Sequence, residues 1–547
     1  MSLQPEAIPA IPEETARVAR TIVPKGNRYM LLRDELGTIY TDELFLKVYP
    51  QGGSYAEAPW RLALVCVMQY MENYSDRQAA EAVKMRIDWK YALNLELTDP
   101  GFNFSVLSEF RQRLLGGGQE EVLLNTLLHV CQERGWIKER GKQRTDSTHV
   151  LAAIRTMNRL ECVGETLRAA LNSLAIVVPD WLRAHVPVEW YERYARPIDE
   201  FRLPKEKSKR QALAEQTGAD GFQLLQTCYA EGAPIWLRDI PAVEVLRRIW
   251  VQQYMLTQDT FSWRSDDNIP PAAILLSSPY DLDAHMSIKQ ETIWTGYKAH
   301  LTETCDEERP HLIIHVETTP ATTQDSDLTE PIHQRLSDKA LLPAEHAMDA
   351  GYVDGDHLVN CQNTYVVELI GPVANDPSWQ ARAGQGFDAA HFSVDWQAHK
   401  ATCPVGHTSR KWKLARSQRG ADVIRVEFGK KDCQQCPCRA LCTTAPSNPR
   451  QLTLRPHAQY EAIQATRQQK TTHEFQMRYA MRAGVEGTIS QGVRAFDLRR
   501  SRYFGQMKTH LQHVMIATAI NFSRILNWIM GIPLDTTRSS RFAALSP

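Results

Sequence analysis

Two groups of side chains in this sequence could do chemistry. The first is three acids: Asp146 in TDSTHV, Asp349 in MDAGY and Glu486 in RAGVEGT. Asp146 lies in a short β-compatible run and Asp349 at the C-terminal end of another. Mixed α/β sheets gather ligands at strand ends, and carboxylates gathered there suit hard divalent cations. Glu486 falls on a helical segment. An isolated acid is mostly a solvated surface charge, so each carries little alone. The second group is cysteine. Five of eleven crowd together as Cys403, Cys433, Cys436, Cys438 and Cys442. Cys433-x2-Cys436, with Cys403 and Cys442 outlying, has the residues of a tetrahedral four-thiolate zinc site. His407 and Cys438 are spare candidates, and reduced thiols without metal are the alternative reading.

These groups need elements to position them. The run 142–154 is short and β-compatible, and strand-like runs follow at 295–304, 311–317, near 350 and at 365–370. A polar helix fits 323–340 and a short one 354–360. Strands with interleaved helices indicate a mixed α/β core. Period 2 along a strand puts His149 on the face opposite Asp146, where packing outweighs support of the acid. Residues 57–115 read as helices. Ser75 with Gln78 three residues on forms a capping-box signature, and two short helices with a tight joint suit either a helix-turn-helix-like unit or a plain bundle. Residues 156–277 are helical and punctuated by proline, 375–455 carry the cysteines with strand-like pieces, and 473–496 and 506–530 are helical.

The 547 residues correspond to several domains of ordinary size. Hydrophobic residues at 43% and charged residues at 23% exclude a disordered tail protein or a disulfide scaffold. With 63 basic and 64 acidic side chains, bulk positive charge is missing, so a polyanion site must be local. One local excess lies at 410–431, where eight Lys/Arg face two acids and Trp412 interleaves an aromatic surface. Another lies at 487–513, where Arg494, Arg499, Arg500, Arg502 and Lys508 face only Asp497. Such patches suit phosphate contacts. No run is apolar enough to span a membrane. The start shows no secretory signal, and an odd cysteine count fits a reducing cytosol.

Taken in order, FLKVYPQGGSYAEAPWRLAL, YSDRQAAEAV, TDSTHV, SPYDLDAHMSIKQETIWTGYKAHLTETCD, MDAGY and RYAMRAGVEGTIS...RSRYFGQMKTHLQH resemble bacterial insertion-sequence transposases of the DDE type. The superfamily is that of insertion sequence four, and the resemblance covers roughly residues 30–530. Its helix motif Tyr-x2-Arg-x3-Glu matches at Tyr479, Arg482 and Glu486, whose offsets share one helix face. The family's lysine position falls on Val493, with Arg494 beside it.

The resemblance implies an α/β, RNase H-like mixed-sheet core at 141–155 and 278–372. It is preceded by a lead at 1–45, partly disordered, and a helical DNA-binding domain at 46–140. A helical insert at 156–277 and a cysteine-rich, basic, zinc-ribbon-like β insert at 373–460 interrupt the core, and 461–535 carry the Glu486 helix and the C-terminal helix. It implies that Asp146, Asp349 and Glu486 hold two Mg²⁺ (or Mn²⁺) ions, which activate the attacking oxygen and stabilise the leaving one. Tyr479, Arg482, Arg494, Arg499, Arg500, Arg502 and Lys508 are the expected DNA contacts. The expected partners are double-stranded DNA, as transposon terminal inverted repeats and target DNA, and a second copy of the chain in a synaptic homodimer. The place of action is the bacterial cytoplasm, at the nucleoid. The other readings are a domesticated, inactive DNA-binding protein and a nuclease without strand transfer.

Overall fold

A computed structural model describes the chain apart from residues 1, 51, 54, 258–259, 290, 419, 534–544 and 546–547. The end of the expected 461–535 segment, and Arg419 of the basic run, lie outside the described residues.

The central sheet is mixed. Strand β1 (Lys142–Leu151) is its middle. After a helical insert carrying the small hairpin of β2 (Tyr254–Thr257) and β3 (Thr260–Trp263), the chain adds β4 (His285–Lys289), β5 (Thr292–Thr304) and β6 (Ile313–Pro320). It then adds β7 (Glu345–Met348) and β8 (Glu368–Ile370). β5 runs antiparallel beside β1, and its far edge is shared by β4 and β6. On the other side β7 and then β8 lie parallel to β1 and to each other. At Gly296 (φ +152°) β5 comes so close to β1 that an added Cβ would strike the Val150 carbonyl oxygen; only glycine fits there.

Helix Gln506–Ile529 packs along β6, where Asn521 bonds the Ile313 backbone and Gln506 the Thr318 carbonyl. Its Leu511, Val514, Met515, Ile516, Ile520, Phe522 and Ile525 are all buried, each a contribution of about 1.5–3 kcal/mol for the larger side chains. Its other side meets helix Pro59–Met71, which is apolar nearly all round, from Trp60 through Met71. A helix of that kind belongs in an interior. One hydrophobic cluster therefore runs from Tyr29 through the N-terminal helices and the sheet to Leu526. Residues 46–140, expected as a separate domain, share the core of the sheet. The lead also contributes: helices Glu13–Ile22 and Arg28–Leu36 form, and Tyr29, Leu32 and Tyr40 are buried. The capping box at Ser75 and Gln78 is present.

The helical insert has its own core, built from helices Arg159–Val177, Lys207–Cys228 and Pro241–Gln253 around Leu167, Leu246 and Trp250. The cysteine-bearing insert is a third, smaller unit. It holds the pair β9 (Ser393–Asp395) and β10 (Lys400–Thr402) and a three-stranded antiparallel sheet of β11 (Lys411–Arg416), β12 (Asp422–Glu427) and β13 (Gln451–Leu454). Among the described residues no helix is long and apolar enough to cross a membrane.

Candidate active site

Strand register brings two of the three acids together. In the parallel β1–β7 pair Thr145 faces Met348. One residue further along each strand stand Asp146 and Asp349, side by side at the C-terminal end of β7. Each carboxylate accepts the amide of the residue after it, Ser147 at 2.7 Å and Ala350 at 2.7 Å. Burial pushes the Asp146 carboxyl up, and the charge of Asp349 adds to this; the Ser147 amide and Arg482 oppose it.

Arg482 brings in the third acid. One guanidinium nitrogen donates to Asp146 at 2.8 Å and another to Glu486 at 2.5 Å. Tyr479 is half-buried beneath that guanidinium, its ring centroid 5.7 Å away. The three motif residues do not share one continuous helix, contrary to the sequence expectation. Helix His473–Ala480 ends, Met481 and Arg482 make a turn, and Ala483–Ala495 begins anew. The cause is a tertiary contact: the Met481 carbonyl accepts from the Arg144 guanidinium of β1 at 2.7 Å, and the bonds onward to Gly484 and Val485 span three residues rather than four. Tyr479, Arg482 and Glu486 nevertheless stay together, because Arg482 itself lies in the joint.

The Glu486 helix is anchored to the sheet by a buried ion cluster. Glu303 on β5 is fully buried. It accepts from Arg144 at 2.6 Å, from Arg524 at 2.8 Å and from the Thr488 hydroxyl at 2.6 Å. Burial alone would push its carboxyl up, but Arg524 and Arg144 with Thr488 hold it below the usual range. A buried carboxylate paired this completely is costly to break.

Other residues of the site were not legible from spacing. Behind Asp146, the Ser147 hydroxyl lies 3.4 Å from Asp325, which is paired with Lys298 at 3.0 Å. Tyr352, of the MDAGY segment, is buried with its hydroxyl 2.6 Å from His300. Lys289 on β4 lies within electrostatic reach of Asp146. Asp325 sits in a polar TTQDSD stretch with no distinguishing pattern; only the glycine and tyrosine after Asp349 hinted at close packing here. His149 faces away from the acids and packs against Trp294, ring centroids 5.6 Å apart.

The donor set is three carboxylates without nitrogen or sulfur, which fits Mg²⁺ or Mn²⁺. The excess negative charge is answered here by Arg482, the one cation hydrogen-bonded to two of the acids among the described residues. With that guanidinium between Asp146 and Glu486, no three potential ligands among the described residues are gathered tightly enough to hold an ion as they stand.

The basic side chains divide in two. Arg494, Arg500 and Lys508 are exposed. Arg499 bonds the Thr148 hydroxyl at 2.8 Å, on the same face of β1 as Asp146. Arg502, an expected DNA contact, is part-exposed and is engaged by the protein itself. It donates to the Tyr74 carbonyl at 2.8 Å and lies over the Tyr70 ring, clamping the N-terminal helices to the C-terminal segment. In the cysteine-bearing insert Lys413 and Arg425 are exposed and directly opposite each other on β11 and β12. Like charges placed so repel, a feature that suits a polyanion. The neighbouring Lys411 and Arg416 are instead paired with Glu427 and Asp422.

All eleven cysteines are free thiols. Cys403, Cys433, Cys436, Cys438 and Cys442 line one small cavity with His407, Arg439 and Arg450. Burial pushes the Cys442 thiol up to about 11, Arg450 opposes this, and Cys433, Cys403 and Cys436 are near enough to add to it.

Comparison with known families gives two matches. Residues 402–526 match the family model described as Transposase DDE domain, and residues 17–113 match that described as Transposase domain (DUF772). No curated protein matches the chain. The first match contains Glu486 and the clustered cysteines; Asp146 and Asp349 lie outside both.

Proposed function

We propose that the chain is an insertion-sequence transposase of the DDE type, with Asp146, Asp349 and Glu486 as its catalytic acids. The observation that carries this is their convergence: β1–β7 register sets Asp146 beside Asp349, and Arg482 joins Asp146 to Glu486. On this reading the fold is an RNase H-like core interrupted by two inserts, and the Tyr479–Arg482–Glu486 spacing supports membership of the insertion-sequence-four superfamily.

A phosphodiester is anionic and resists attack by a nucleophile. Two divalent ions, when bound, would activate the attacking oxygen and stabilise the leaving one. Asp146, Asp349 and Glu486 would hold them. Arg482, released from Asp146 and Glu486, is then placed to hold a DNA phosphate with Tyr479 beside it. Arg494, Arg499, Arg500 and Lys508, with Lys413 and Arg425, hold the backbone of double-stranded DNA without reading its bases. Attack by water frees a 3′-OH at the transposon end, and attack of that hydroxyl on target DNA joins the two. Two ends must be held at once, for which a homodimer at the bacterial nucleoid is the economical assembly.

The test is cleavage and joining on a labelled terminal inverted repeat. Asp349→Asn should bind the end and neither cut it nor, given a pre-cut 3′-OH end, join it to target DNA. Cutting at the wild-type rate would remove Asp349 from the site, and wild-type cutting without joining would make the protein a nuclease.

A further inference from the structure

We propose that Cys403, Cys433, Cys436 and Cys442 bind one structural zinc ion that ties together the three segments of the cysteine-bearing insert. These thiols come from the turn after β10, the short helix Lys430–Gln434 with the turn that follows it, and helix Arg439–Cys442. They line a single cavity of about 30 Å³, above the roughly 10–15 Å³ that admits one water-sized species. Among the described residues no three of these ligands yet stand at coordinating distance, so binding must draw the three segments inward.

Three independent features point to a metal rather than to unrelated thiols. First, the turn 403–407 is already shaped for a bound sulfur. The His407 amide points at the Cys403 sulfur at 3.3 Å, while the Cys403 amide returns a bond to the His407 carbonyl at 2.9 Å. An amide aimed at sulfur is the kind of contact that orients a metal-bound cysteine. The His407 ring itself is exposed.

Second, the cavity has two guanidinium groups in its wall, while its one carboxylate, Asp432, is paired with Arg410 instead. The Arg450 Nε is buried and has no hydrogen-bond partner among the described residues. Arg439, also in the wall, is held by the carbonyls of Cys433 and Asn448. Four thiolates on one Zn²⁺ carry a net charge of −2, which two guanidinium groups would balance. A buried orphan donor of this kind calls for an acceptor.

Third, the insert is too lightly built without a staple. Its core among the described residues is Phe392, Ala401, Ile424, Val426, Phe428, Leu452 and Leu454. Units with so small a core generally need a metal or disulfides, and its thiols are unpaired. Cys433-x2-Cys436 is the short spacing of a structural zinc ligand pair. Cys438 lines the same cavity and is left as the fifth thiol. Binding releases the thiol protons that remain. The ion would hold the β11–β12 hairpin, and so the exposed Lys413–Arg425 pair, in one orientation.

The experiment is elemental analysis of the full chain purified without chelator. Wild-type protein, Cys438→Ser and Glu486→Gln should each carry about one zinc per chain, and the double variant Cys433→Ser/Cys442→Ser close to none. Zinc-free wild-type protein would overturn the proposal, as would equal loss of zinc in Cys438→Ser. Retention in Cys438→Ser with loss in Glu486→Gln would also overturn it, by moving the ion to the acids. Where the double variant does not fold, wild-type protein exchanged with Co²⁺ decides. Thiolate-to-cobalt charge-transfer bands with tetrahedral d–d absorption support a four-sulfur site, and their absence refutes it. The readout is metal content, so its outcome is independent of whether the acids cut DNA.

Discussion

Arg144 and Gly484 occupy one shared volume: a Cβ on Gly484 would fall within the Arg144 guanidinium. That contact, with the bond from Arg144 to the Met481 carbonyl, seats the Glu486 helix on β1 and sets how far Glu486 stands from Asp146.

Gly484→Ala should therefore push Arg144 off Glu303 and Met481. The expected cost is about 1–3 kcal/mol of stability, as for overpacking in a filled core, together with a loss of DNA cleavage beyond what stability explains. Gly487, one turn along the same helix, meets nothing within 4 Å. Gly487→Ala should be neutral or stabilising by up to about 1 kcal/mol. Urea unfolding of both variants checks the contrast.

Glu303→Gln would leave Arg144 and Arg524 buried without their counter-charge. Removing one partner of such a group costs about 3–5 kcal/mol. The pH dependence follows from the lowered Glu303 value. In the unfolded chain the group has the ordinary glutamate value, about 4.3, so its contribution is present above that pH. It is lost as pH falls through the lower folded-state value. Thermal unfolding followed from neutral pH downward should show that loss in wild-type protein, and less of it in Glu303→Gln.

The basic residues should separate by assay. Arg500→Ala and Lys508→Ala remove exposed charges, and each should make the salt dependence of DNA binding shallower by about 1 in the log–log slope. Arg502→Ala breaks the clamp on Tyr70 and Tyr74. It should lower stability by about 1–3 kcal/mol and leave that slope nearly unchanged. Equal slopes for all three variants would contradict the division.

Much of this was legible from residue order. The strand runs, the capping box at Ser75 and the final helix follow from periodicity and local hydrogen bonding, which act over a few residues. Three features were not. That Pro59–Met71 packs against Gln506–Ile529 depends on contacts more than 400 residues apart, which no local pattern carries. For the same reason deleting 57–115 would take away part of the central core, and would not cleanly separate DNA recognition from chemistry. The break at Met481–Arg482 was also hidden. Helical spacing predicts one continuous face, whereas the carbonyl captured by Arg144 divides it. Arg502 reads as a phosphate ligand from its basic surroundings, but Tyr70 and the Tyr74 carbonyl claim it.

The central claim is that Glu486 is the third catalytic acid beside Asp146 and Asp349. It is tested most directly by cleavage of a labelled transposon end by Glu486→Gln, with Glu474→Gln as control. Glu474 is an exposed acid on the preceding helix, His473–Ala480. Glu486→Gln keeps the size of the side chain and removes the charge that answers the metal ions. End binding should stay near wild type while Mg²⁺-dependent cleavage falls by orders of magnitude, and Glu474→Gln should cut normally. Wild-type cleavage by Glu486→Gln would place the active site elsewhere.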